Sequence, residues 1–178
     1  MNNIMMNKTI IALAIAAGSA LTSVAQAADG KINFTGTITD SAYTVTTGTK
    51  TQTVNLGTIS SSGFDGAGAV SGASRFSVAL ESCPGTVTTA SVVFDGQPDT
   101  NNTSLLALTP GTGVATSVGI GIYEEDSTTL IPVATKSAEK DLSPAGATFN
   151  FIAKYVATDA AVGAGTANAV SDFTISYN

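Results

Sequence analysis

The chain has 178 residues, with 7 lysines and arginines against 13 aspartates and glutamates, a formal net charge of −6, and neither histidine nor tryptophan. Such a charge repels nucleic acid and anionic membranes, so neither is expected as a partner. Without histidine the chain has no imidazole general base, and neither a Ser-His-Asp nor a Cys-His constellation can be built.

Residues 1–27 read as an export signal. Lys8 is the one charge ahead of the apolar run at 10–17, and the segment ends in Ala25-Gln26-Ala27, an A-x-A cleavage pattern. The run is too short for the roughly 20 residues of a membrane span. Removal of 1–27 leaves a length that suits one domain. That mature chain holds a single cysteine, Cys83, so no internal disulfide can form; a lone thiol of this kind usually serves as a small apolar side chain.

Next comes ADGKINFTGTITD (28–40), in which Ile32, Phe34, Gly36 and Ile38 alternate with polar residues. This is a strand with one apolar face, and such a face has to be covered by its own domain or by another molecule. Further period-2 runs follow at 51–59 (Val54, Leu56), 75–83 (Phe76, Val78, Leu80), 88–96, 104–109, 115–126 (Val118, Ile120, Ile122), 129–135, 147–158 (Phe149, Phe151, Ala153) and 171–178 (Phe173, Ile175, Tyr177). Glycine-rich 60–72 and polar 97–103 read as loops, and Pro132 assigns 129–135 to an edge or a bulge. No stretch of the mature chain keeps a 3.6-residue apolar period. The pattern predicts an all-β fold, one antiparallel sandwich that begins and ends on strands with unblunted edges.

Residues that carry chemistry are scarce. Glu124-Glu125-Asp126 lacks the spacers and turn glycine of a calcium loop and reads as a solvated turn. GTGVATSVGIG (111–121) has no Gly-Lys-Ser/Thr ending, so it does not read as a phosphate loop. Asn102-Thr103-Ser104 matches a glycosylation sequon by chance. No catalytic residue, metal, cofactor or small-molecule substrate is expected, and the reading is that of a non-enzyme.

Taken together, these stretches resemble the major structural pilins of the type 1-like chaperone–usher fimbriae of Gram-negative bacteria. The resemblance rests on GKINFTGTITDSAYTV (30–45), RFSVALESC (75–83), ATSVGIGIYEED (115–126), FNFIAKYVAT (149–158), Gly165 and the penultimate Tyr177. It implies an incomplete immunoglobulin-like β-sandwich (41–178) completed by donor-strand exchange, with the extension 28–40 as the donated strand. Ile32, Phe34, Gly36 and Ile38 would form the donated face. Gly165, Phe173, Ile175 and Tyr177 would belong to the C-terminal strand that flanks the groove and pairs first with a periplasmic chaperone. An outer-membrane usher and other copies of the chain are the further partners implied, in a homopolymer exported through the periplasm to the cell surface that serves adhesion and biofilm formation. The family pairs the cysteine at position 83 with one near position 43, and here that position is Tyr43. Such a bridge would close a loop of about 41 residues, worth roughly 4 kcal/mol in the chain-entropy model. A minor or adaptor pilin, or a secreted carbohydrate-binding sandwich, are the alternatives. The second predicts exposed aromatic residues, for which a chain with no Trp and four Tyr is poorly supplied.

Overall fold

The computed structural model describes Asn33, residues 43–82 and residues 87–178. Ile32, Phe34, Gly36, Ile38 and Cys83 lie outside the described residues. The chain divides into two units, Met1–Ile38 and Thr39–Asn178, and the second is the body discussed below.

Eight strands form among the described residues: β1 (Thr44–Val45), β2 (Val70–Glu81), β3 (Thr89–Asp95), β4 (Val118–Glu124), β5 (Leu130–Ile131), β6 (Lys140–Asp141), β7 (Ala147–Ala157) and β8 (Asp172–Tyr177). They make a five-stranded sheet in the order β1-β2-β7-β4-β5 and a three-stranded sheet in the order β6-β3-β8. Every ladder is antiparallel. Both sheets are open, and their inner faces share one core. Val78, Leu80, Ile120, Ile122, Phe149 and Phe151 come from the larger sheet, and Ala90, Val92 and Phe94 from the smaller. Phe94 meets Phe151 edge-to-face across the gap, with ring centroids 4.9 Å apart. The all-β sandwich expected from the alternation is therefore the fold observed.

β4 is VGIGIYE, and all but its last residue are buried. Its two glycines explain how both faces can be covered. A Cβ on Gly119 would stand 3.0 Å from the Leu106 carbonyl oxygen, so the segment around Leu105 and Leu106 can lie directly on the strand. Leu105 reaches the outer face, where it forms a second small cluster with Tyr123, Ile152 and Val156.

Three expectations are corrected. Residues 51–59 alternate like a strand, and Val54 and Leu56 do pack on the core, but no ladder forms there. A single helical turn, α1 (Thr47–Lys50), immediately precedes the run, the Gln52 side chain donates to the Ser77 carbonyl at 3.0 Å, and Gly57 turns the chain with φ +74°. Residues 104–109 contribute only isolated bridges at Leu106. β2 starts at Val70, inside the stretch read as a loop. Pro132 ends β5 after two residues, as its missing N–H requires.

Candidate functional site

With few titratable groups in this body, its capacity for contact lies in the backbone edges of its two sheets. On the outer side of β3, β6 pairs with Thr89 and Ala90. Beyond it, Ala134 and Ser137 donate to the carbonyls of Phe94 and Val92, both at 2.8 Å, and the Val92 N–H is taken by Ser137 Oγ at 2.9 Å. That edge is covered. On the other side of β3 lies β8, in the register Tyr177–Ala90, Ile175–Val92 and Phe173–Phe94. Among the described residues no strand pairs with the outer edge of β8.

The side chains along that edge are unevenly covered. Val92 and Phe94 on β3 are 0% and 4% exposed. Their β8 partners Phe173, Ile175 and Tyr177 touch the same core yet are only half-buried. Opposite them run Tyr43, Val45, Val54 and Leu56, also half-buried against the core. This second rim follows the edge of β2: Thr44 and Val45 pair with Glu81 and Leu80, Thr46 donates to the Ala79 carbonyl, and a Cβ on Gly72 would lie 3.2 Å from the Leu56 carbonyl oxygen. The core is thus closed around β3, β4 and β7 and left thinly covered between residues 43–56 and β8. An added strand has both things it needs there, a row of backbone partners and an apolar bed.

The groove has two different ends. At one, the Tyr43 and Tyr177 rings stack, with centroids 3.8 Å apart and planes 18° from parallel. At the other, residues 57–61 meet residues 162–168 around a cleft of about 380 Å³, lined also by Phe64, Val118 and Tyr155. Tyr155 Oη donates to the Ala167 carbonyl at 3.0 Å and fixes the cleft wall.

The resemblance places Gly165 with the C-terminal strand, and the structure corrects this. It lies ahead of β8, in the loop beside that cleft, and its role there is close approach. A Cβ would stand 2.5 Å from both the Gly113 oxygen and the Val114 carbonyl carbon, because two backbones run side by side in a parallel bridge between Val114 and Thr166: Ala115 donates to the Thr166 carbonyl (2.9 Å) and Thr166 to that of Gly113 (2.8 Å). Phe173, Ile175 and Tyr177 are brought together on β8. The Tyr43–Tyr177 stack was missed, since ring pairing between the two ends of the body leaves no periodic signal.

The acidic cluster holds a turn. Glu124 Oε1 accepts from the Ala138 N–H at 2.6 Å, and Glu125 Oε1 from Asn150 at 3.2 Å. Asp126 accepts from the Thr129 hydroxyl (2.6 Å) and from the Thr128 and Thr129 N–H groups (2.7 and 2.8 Å). The Thr129 bonds, followed by that of Thr128, lower the Asp126 pKa from 3.8 to about 2. A carboxyl depressed in the folded state stabilises it above the unfolded pKa and loses that contribution as pH falls through the folded one. The β4–β5 turn should therefore loosen between about pH 4 and pH 2, read as faster amide exchange at Thr128 and Thr129. Asp126→Ala should show fast exchange there at every pH; unchanged protection in that variant would contradict this account.

The fimbrial protein family model matches residues 32–178. The probable major fimbrial subunit LpfA of Escherichia coli O157:H7 is 37% identical over 174 residues, covering 97% of each chain. Among solved structures, the Burkholderia pseudomallei antigen and type I fimbria protein BPSL1626 aligns with TM-score 0.59 at 32% identity, over 83% of this chain and 97% of that one. A subunit from a chaperone–usher pilus, at 22% identity, shares the fold with TM-score 0.63, over 85% and 96%.

Proposed function

Because this chain belongs to the fimbrial protein family, we propose that it is a structural subunit of a surface fimbria, polymerised without covalent links by donating residues 28–40 to the groove beside β8 of the next copy. The observation that carries this reading is the half-buried pair Phe173 and Ile175 on β8, the last strand of its sheet among the described residues. Ile32, Phe34 and Ile38 entering that groove would contribute about 5–9 kcal/mol, at roughly 1.5–3 kcal/mol for each large apolar side chain. Gly36 suits a point where the bed is too shallow for a Cβ. A contact in which every copy gives a strand at one place and receives one at another is head-to-tail and does not close on itself, so it builds a filament.

On this reading a periplasmic chaperone covers the groove before assembly, an outer-membrane usher exports the subunits, and the resulting fimbria supports adhesion and biofilm formation. The identity to a probable major subunit over nearly the whole of both chains favours the shaft over an adaptor position. The test uses the full mature chain carrying Phe34→Asp and Gly36→Arg, so that its own extension cannot compete. A synthetic peptide of residues 28–40 should bind it, displace any bound chaperone and raise its melting midpoint by tens of degrees. A peptide with the same two substitutions should do neither. A chain that is indifferent to the native peptide would sink the proposal.

A further inference from the structure

We infer that the Tyr43–Tyr177 stack is an end stop that sets the register of the strand laid along β8. This rests on the reading of β8 as the acceptor edge, and it concerns which alignment the groove accepts rather than whether it accepts a strand.

Tyr177 is the last residue of β8, and Tyr43 immediately precedes β1, at the edge of the other sheet. Rings with centroids 3.8 Å apart and nearly parallel are in van der Waals contact. They fill the space between the two rims at that end. Tyr43 thus occupies the slot that an inward side chain of an added strand would take beside Tyr177. The slots facing Ile175 and Phe173 are left, followed by the cleft at 57–61 and 162–168. The other ring pairs, Phe76–Phe94, Phe76–Phe151, Phe94–Phe151 and Phe149–Phe151, lie in the core beneath the groove and do not close it.

A strand with one apolar face can slip only by two residues, because a one-residue slip turns that face outward. Ile32, Phe34, Gly36 and Ile38 are similar enough in spacing that backbone hydrogen bonds alone would not forbid such a slip. A two-residue slip toward the stack drives a large side chain onto the Tyr43 ring. A slip away from it only moves side chains toward the roomier cleft. The two directions should therefore differ in cost, and Tyr43 makes them differ.

The same Phe34→Asp, Gly36→Arg mature chain measures this with three peptides. One is the native 28–40 sequence. The second carries Phe34→Gly and Gly36→Phe, and must shift by two residues in one direction to return glycine to its slot. The third carries Gly36→Ile and Ile38→Gly, and must shift by two in the other. With Tyr43 present, the shifted peptides should differ in affinity by about tenfold or more, one being forced against the stack. Tyr43→Phe should preserve that asymmetry. Tyr43→Ala should reduce it to about threefold or less, as should Tyr43→Leu, which keeps apolar bulk if the alanine variant does not fold. An asymmetry that survives both replacements overturns the end stop, as does equal binding of the two shifted peptides to the Tyr43 protein. Failure of the native peptide to bind overturns the acceptor-edge reading instead, so the two results are distinguishable.

Discussion

Phe151→Ala is expected to destabilise the body by about 3–5 kcal/mol, the usual range for deleting a buried aromatic ring. Phe151 is 1% exposed and sits at the hub of the ring cluster, with centroids 5.5 Å from Phe76, 4.9 Å from Phe94 and 6.4 Å from Phe149. The Phe94 contact is edge-to-face and crosses from one sheet to the other, so the substitution removes both volume and a tie between the layers. No neighbouring backbone is free to fill the space, since β7 is laddered on both sides, to β2 and to β4. Thermal unfolding should show a midpoint lower by about 10–20 °C. The half-exposed Val70 at the start of β2 is a suitable comparison, and Val70→Ala should change stability by only about 0.5 kcal/mol. A small loss at Phe151 would mean that the two sheets hold together without this cluster.

Gly165→Val is the second large effect, and it acts through backbone rather than through lost volume. With the nearest backbone atoms about 2.5 Å from an added Cβ, the bridge between residues 113–115 and 165–166 has to open. Both hydrogen bonds at the bridge then lengthen or break. The expected cost is about 2–4 kcal/mol, overpacking together with two disrupted hydrogen bonds. The wall of the 380 Å³ cleft is displaced at the same time. Alanine should already be damaging, because the first added carbon makes the clash. Gly48, in the turn α1, has nothing within 4 Å of an added Cβ, and Gly48→Ala should be stabilising by about 0.5–1 kcal/mol. Urea unfolding of the two variants tests the contrast; equal effects at both positions would dismiss the close approach as the reason for Gly165.

The parts of this fold that could be read in advance are those where a ladder and a buried face coincide. β4, β7 and β8 carry unbroken period-2 apolar runs, and each became a strand near its expected bounds. Residues 51–59 have the same pattern without the ladder, because alternation reports what packs inward and not what the backbone bonds to. β6 is Lys140-Asp141, with no apolar residue in it; it forms because Ser137 and Leu142, on either side of it, donate to the carbonyls of Val92 and Thr88 and hold the segment along β3. The half-buried row on β8 was legible through Phe173, Ile175 and Tyr177. The opposite rim was not, since half of it is irregular chain held to β2 by the side chains of Thr49 and Gln52. Gly165 stood out in the sequence, while its reason, two backbones in contact, appears only in three dimensions.

The covered side of β3 bears on branching. With residues 134–142 bonded along that edge, β8 is the free-standing long edge of the small sheet among the described residues. On the proposed reading, a subunit that accepts one strand and gives one has two bonds in all. Networks, sheets and gels need at least three. On that reading, sealing the far side of the small sheet would set the dimensionality of the product: a bare β3 edge would let lines fuse side by side, and Ser137 with its neighbours would keep them separate.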